Sequence, residues 1–123
     1  MQYFIIGTLL VTGVIHLIPL LGALGSTRLQ RLYGIEGLTS DLELLLSHRA
    51  ILFGLLGAFL IYATVKPSVQ TIALVGALIS VGSFVVLAWR GELSSEITRV
   101  FWIDVALLLP LCFALGASVV RAA

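Results

Sequence analysis

Seven polar residues lie inside segments of the chain that are otherwise apolar, and they are the candidates for chemistry. They are His16, Ser47, His48, Arg49, Ser80, Ser83 and Asp104. An arginine or an aspartate costs about 2.5–3.5 kcal/mol at the centre of a membrane helix, even on permissive insertion scales. Such side chains are therefore expected to pair with one another or to bind a ligand.

Four of these residues are predicted to lie in one layer. With a rise of ~1.5 Å per residue, His16 lies ~12 Å from the end of its segment and Arg49 lies ~12 Å from the start of the next. Ser83 and Asp104 lie ~9–11 Å inside the same face, because successive segments alternate in direction. We expect Arg49 to pair with Asp104. His16, His48 and Ser83 are expected to fill the remaining hydrogen-bond positions of a ligand site.

The first segment adds a polar stripe to this layer. Thr8, Thr12 and His16 follow one another at intervals of four residues, so they share one face of a helix. Pro19 has no N–H for the carbonyl of Ile15, which predicts a kink. A stripe beside a kink predicts a cleft in which Thr12 and His16 face a ligand. The alternative is that each threonine bonds a carbonyl one turn back on its own helix.

Two other interpretations of the layer stay open. Arg49 and Asp104 could form an ion pair that only sets the register of the helices, or Arg49 could extend outward to the lipid head groups. His16, His48 and Asp104 match a donor set of iron and zinc centres. Arg49 would repel a cation, however, and no two histidines lie four residues apart, so no metal is predicted. Cys112 is expected to be a small core residue.

The elements that position these residues follow from hydropathy. Of the 123 residues, 60% are hydrophobic and 11% are charged, against about 25% charged in soluble domains. A membrane helix needs about 20 residues, and four apolar segments reach that length, at residues 3–24, 44–65, 69–89 and 97–120. Short connections make neighbouring helices antiparallel. The prediction is an all-α membrane bundle with up-down-up-down topology, a single four-helix domain over residues 1–123.

The first connection is long enough to have its own structure. Residues 26–34 begin with capping residues, place apolar side chains at helical spacing and end at Gly34, which predicts a short interfacial helix. An irregular loop is the alternative. Thr39 and the following residues are predicted to cap the second span. Small residues are predicted to pack helix against helix inside the bundle rather than to form a dimer face: Gly54, Gly57, Ala58, Ala73, Gly76, Ala77 and Ser80.

Charge excludes one function class and suggests an orientation. A net charge of +1 lacks the basic surface of a nucleic-acid binder. No Lys or Arg precedes the first apolar segment, which is also too long for a signal peptide, so we expect it to be retained. Basic residues are more numerous beside the first and third connections, which places the polar layer in the cytoplasmic half and both termini outside.

The sequence resembles a known group of membrane proteins. Residues 16–19 read HLIP, residues 32–35 read LYGI and residues 48–60 read HRAILFGLLGAFL. This pattern is similar to small bacterial four-span proteins of the DoxX-like kind, in the set often labelled phosphopantetheine adenylyltransferase. The chain has no His-x-Gly-His-type phosphate motif, so it does not support that label. The resemblance implies a four-helix bundle with a polar centre around His16, Arg49 and Asp104. Some DoxX-like proteins accompany quinone-linked redox complexes.

Three functions are consistent with these features. The first is binding of a small amphipathic lipid, such as a quinone or an isoprenoid, with or without catalysis. The second is a role as an accessory or assembly subunit of a larger membrane complex or a homo-oligomer. The third is a proton or small-ion pathway through His16 and Asp104. The sequence assigns no cofactor. The expected location is a bacterial inner membrane, with membrane lipids as partners.

Overall fold

Four long helices make up most of the protein. The computed structural model describes residues 1–24, 27, 30, 31, 34 and 36–123. The helices are α1 (Gln2–Leu17), α2 (Ser40–Val65), α3 (Gln70–Ala88) and α4 (Ser95–Ala122). The spans built on them are long and apolar enough to cross a membrane. The predicted all-α four-helix bundle is confirmed, and the chain is a small multi-pass membrane protein.

The first span changes character before its predicted end. Helix α1 stops at Leu17, and the chain continues as a 3-10 helix, Ile18–Leu24. Pro19 causes this change because it has no N–H to donate to a carbonyl four residues back. The carbonyl of Ile15 is nevertheless not left free: it accepts a hydrogen bond from the N–H of Ile18. The expectation of a freed carbonyl was therefore wrong, since the tighter 3-10 turn replaces the lost bond.

Side-chain caps begin the second and fourth helices. The hydroxyl of Thr39 accepts from the N–H of Leu42 at 3.3 Å, which confirms the predicted cap of α2. At α4 the hydroxyl of Ser94 accepts from the N–H of Ile97 at 3.4 Å. Both helices therefore start a few residues before the apolar segments predicted from hydropathy, because the capping turn is polar.

The four helices are not spaced evenly around the bundle. Helix α1 packs most extensively against α2, and α3 packs most extensively against α4. Helix α1 also contacts α3 across the bundle, whereas among the described residues α2 and α4 make no close backbone contact. The α1–α3 diagonal is thus short and the α2–α4 diagonal is long. The long diagonal leaves space inside the bundle.

Glycines set the close approach of α1 and α2. A Cβ built on Gly57 would lie 2.8 Å from the carbonyl oxygen of Gly13, and one built on Gly13 would lie 3.0 Å from the carbonyl oxygen of Gly57. Gly54 is buried against the side chain of Leu20. Small residues thus serve packing within the bundle. Ala58, predicted to do the same, is exposed one position beyond Gly57.

An apolar core fills the bundle at the end that contains the N-terminus of α1. Its fully buried side chains include Ile5, Leu9, Leu60, Leu74 and Leu111. The outer surface of the helices is also apolar, as a protein solvated by lipid requires. Cys112, expected in the core, is exposed on that outer surface, because it follows the inward-facing Leu111 by one position on the helix.

The first and third connections meet at one end of the bundle. Gly34 has a φ of +62°, and the carboxylate of Glu96 packs so closely against it that a Cβ at Gly34 would overlap it. This contact places both connections on the same side, as the alternation of the spans predicts. The predicted interfacial helix at residues 26–34 falls mostly outside the described residues, so it stays a prediction.

Candidate functional site

A cavity of about 210 Å³ lies at the end of the bundle where the first and third connections meet. We call it the polar cavity. Its polar lining is supplied by His16 of α1, Arg49 of α2 and Asp104 of α4. Its walls are apolar and include Ile15, Leu46, Phe53, Phe84, Val100 and Ile103. Three of the four residues that equal depth predicted for one layer therefore surround one space.

His16 is buried and both of its ring nitrogens have partners. Nδ1 donates to the carbonyl of Thr12 at 2.9 Å, and Nε2 lies 3.2 Å from the hydroxyl of Ser80. A carbonyl only accepts hydrogen bonds, so Nδ1 carries a proton and a neutral ring accepts from Ser80 at Nε2. His16 thus joins α1 to α3 across the short diagonal. These two hydrogen bonds hold the cavity wall in position. They also leave neither ring nitrogen available to a metal.

Arg49 points into the bundle and not toward the lipid head groups. Its guanidinium lies 4.6 Å from the ring centroid of Phe53 and 5.5 Å from that of Phe84. The Phe53 ring in turn lies 5.2 Å from the ring of His16, centroid to centroid. Cation–π attraction of this kind is stronger where water is excluded. Two aromatic rings therefore favour the inward orientation of Arg49 over an outward one.

Asp104 supplies the carboxylate of the polar cavity. Its side chain is buried on α4, and the positive charge of Arg49 acts on it. Helices α2 and α4 form the long diagonal, so the two opposite charges face the cavity from its two separated sides. Arg49 offers hydrogen-bond donors and Asp104 offers acceptors. The cavity therefore offers a head group both hydrogen-bond donors and acceptors within apolar walls.

Three other predicted site residues lie elsewhere. His48 is exposed, because a helix turns about 100° per residue and Arg49 takes the inward direction. Ser83 is exposed, and its hydroxyl donates to the carbonyl of Ser80 at 3.0 Å. Thr12 is buried one turn from His16 and lines a second cavity. The two-histidine arrangement considered for a metal is not formed, and the described residues contain no cluster of three or more His, Cys, Asp or Glu side chains.

Sequence reasoning did not predict two residues that shape the site, and it named a third, Ser80, among the polar candidates without placing it in the site. Ser80 bonds His16, while Phe53 and Phe84 hold Arg49. A signal for Ser80 was present, because it continues the buried small residues Ala73 and Ala77 of α3 at helical spacing. Depth alone cannot separate Ser80 from Ser83, since both lie within one turn. The direction around the helix axis separates them.

The Ser80 contact predicts unequal effects of two similar substitutions. Ser80→Ala removes the partner of a buried imidazole nitrogen, so we expect the free energy of unfolding in detergent to fall by about 1 kcal/mol. Ser83→Ala is the matched control, since its exposed hydroxyl bonds only its own helix, and its effect should stay within about 0.5 kcal/mol. Thermal or denaturant unfolding of both variants measures the difference. Equal losses would contradict the assigned His16–Ser80 bond.

The chain was compared with models of protein families, with curated proteins and with solved structures, and none of the three comparisons found a match. The resemblance to DoxX-like proteins therefore stays a prediction from the sequence. The functional argument rests on the geometry of the polar cavity.

Proposed function

We propose that the protein binds a small amphipathic lipid of the quinone or isoprenoid type, with the head group of the lipid in the polar cavity. The observation that carries this proposal is a pair of opposite charges, Arg49 and Asp104, facing an apolar-walled space of about 210 Å³ inside a membrane bundle. Such a combination of apolar walls with a few convergent polar groups is typical of small-molecule sites.

The shape of the site supports ligand binding over a purely structural ion pair. A pair that only sets helix register needs no space beside it, and protein interiors are otherwise close-packed. Here the charges come from the two helices of the long diagonal, and Phe53 and Phe84 hold the guanidinium at the cavity. A head group that accepts from the guanidinium of Arg49 would occupy this space, with Asp104 balancing the positive charge of Arg49 from the other side.

Membership of the DoxX-like proteins, a location in a bacterial inner membrane and an orientation with the polar cavity in the cytoplasmic half are parts of the same proposal. The supporting feature for the first is the sequence pattern of residues 16–19, 32–35 and 48–60. The supporting feature for the orientation is the excess of basic residues beside the first and third connections, which places the polar cavity in the cytoplasmic half.

Asp104→Asn tests the proposed site. The amide keeps the shape of the side chain but removes the negative charge that attracts the guanidinium of Arg49 toward the cavity, so we expect a folded bundle that binds its ligand much more weakly. A ligand present at about 100 times its Kd stabilises a folded protein by about 2.7 kcal/mol. A decyl-substituted benzoquinone should therefore raise the melting temperature of the wild type by several degrees and that of Asp104→Asn much less.

Glu92→Gln is the matched control, because it makes the same chemical change at an exposed position. It should respond to the quinone as the wild type does. Native mass spectrometry of gently extracted protein gives a second readout, in which a small-molecule adduct should be present on the wild type and on Glu92→Gln only. An equal thermal shift in the wild type and Asp104→Asn would show that the polar cavity is not the binding site.

A further inference from the structure

A second cavity lies next to the polar cavity, between two of the four helices that line the polar cavity. It has a volume of about 350 Å³, lies between α1 and α4, and is walled by Phe4, Val11, Leu107 and Pro110. We call it the α1–α4 cavity. On α4, Leu107 is three residues beyond Asp104 of the polar cavity. On α1 the two cavities lie on adjacent turns, so together they line one seam of the bundle.

A buried hydroxyl without a partner lies where the two cavities adjoin. Thr12 is fully buried, and its Oγ1 has no hydrogen-bond partner among the described residues. Its carbonyl bonds His16 of the polar cavity, while its side chain lines the α1–α4 cavity. Buried hydroxyls in proteins normally have partners. An acceptor atom supplied by a bound molecule would provide the missing one.

Both cavities fit the two parts of a single molecule. The polar cavity has donors and an acceptor, whereas the α1–α4 cavity is almost entirely apolar. It leads away from the charges toward the N-terminus of α1, and it is open to the outer surface of the bundle at Phe4 and Val11. Thr12 lies one helical turn, ~5.4 Å, from the level of His16. A head group with two acceptor oxygens about one turn apart would meet Arg49 with one oxygen and Thr12 with the other.

We infer that the ligand is a para-quinone-type molecule with one linear apolar tail beside a carbonyl. The far carbonyl accepts from Arg49, the carbonyl next to the tail accepts from Thr12, and the tail occupies the α1–α4 cavity. This inference rests on the proposed function, because it assumes that the head group occupies the polar cavity. It adds the position of the apolar tail and the carbonyl group that lies next to the tail on the head group.

Gly7 offers a way to fill the α1–α4 cavity without touching the polar cavity. Gly7 lines the α1–α4 cavity, and a Cβ built on it meets no atom within 4 Å. Gly7→Leu should therefore occupy the space of the tail and leave the helix in place. Gly7→Val is a smaller replacement that should weaken binding of the tail in the same direction but less. Gly116→Leu is the matched control, since Gly116 is an exposed helical glycine with the same open surroundings outside both cavities.

The experiment is an equilibrium titration in detergent with two probes, a decyl-substituted benzoquinone and its ethyl-substituted analogue. Gly7→Leu should weaken binding of the decyl probe by about tenfold and leave the ethyl probe unchanged, because only the long tail reaches the filled space. Thr12→Val, which keeps the volume of the side chain, should weaken both probes to the same degree. Gly116→Leu should change neither.

The outcomes separate this inference from the function on which it rests. If the wild type binds both probes and Asp104→Asn binds neither, but Gly7→Leu leaves the ratio of the two Kd values unchanged, the tail does not lie in the α1–α4 cavity and the inference is wrong. Unchanged binding by Thr12→Val would overturn the assigned hydroxyl contact. Failure of the wild type to bind either probe more tightly than Asp104→Asn would overturn the proposed function, and the inference with it.

Discussion

Replacing Gly57 by alanine is expected to lower the free energy of unfolding by about 2–3 kcal/mol, the upper part of the range for overpacked interiors. The reason is the close approach of α1 and α2. The new Cβ would lie 2.8 Å from the carbonyl oxygen of Gly13 and 3.0 Å from the side chain of Leu17. Since a backbone carbonyl cannot move aside as a side chain can, the two helices must separate.

The sign of this effect makes the test sharp. In an unobstructed helix, glycine to alanine stabilises by up to about 1 kcal/mol. Gly82 and Gly116 are helical glycines with nothing within 4 Å of an added Cβ, so Gly82→Ala and Gly116→Ala should raise stability or leave it unchanged. Thermal unfolding followed by circular dichroism in one detergent compares the three variants. Stabilisation by Gly57→Ala would contradict the observed helix contact.

Replacing Asp104 by leucine is expected to lower the free energy of unfolding by up to about 3 kcal/mol, the low end of the range for removing one charge of a buried pair, because Arg49 is only half-buried and faces Asp104 across the cavity. The loss arises because leucine removes the negative charge that interacts with the guanidinium of Arg49 across the cavity. The double variant Arg49→Met/Asp104→Leu removes both charges. Its stability should return to within about 1 kcal/mol of the wild type.

A double-mutant cycle in detergent measures this coupling. Arg49→Met supplies the other single variant, and Glu92→Leu is a control for loss of an exposed carboxylate, with an expected effect within about 0.5 kcal/mol. The double variant should also fail to bind the quinone probe, although it is folded. If the double variant instead loses the sum of the two single losses, Arg49 and Asp104 are not coupled and the electrostatic argument for the site is wrong.

The sequence alone was sufficient to predict features that depend on residues close together in the chain. The four apolar segments predicted four spans, since membrane helices must satisfy their backbone hydrogen bonds internally and expose apolar side chains to lipid. Thr39 was correctly predicted as a cap because capping involves residues only three apart. The depths of His16, Arg49 and Asp104 followed from the constant rise of a helix, and these three residues line one cavity.

Direction around each helix axis needed the tertiary structure. His48 and Arg49 lie at nearly the same depth, as do Ser80 and Ser83, yet only Arg49 and Ser80 turn inward. Apolar lipid surrounds the bundle, so the outer faces of the helices are as hydrophobic as the inner ones and hydropathy does not mark which face is buried. Which face of each helix is buried therefore depends on which helices pack against each other.

The unequal diagonals of the bundle were also decided by packing alone. The glycine contact between Gly13 and Gly57 joins residues far apart in the chain, so no local pattern shows it. It draws α1 onto α2, while the His16–Ser80 bond draws α1 toward α3. Space is consequently left along the long diagonal and the α1–α4 seam. The sequence determined which polar groups enter the membrane and how deeply, whereas the tertiary structure decided that they face a cavity, because a cavity is what the contacts between distant residues leave unfilled.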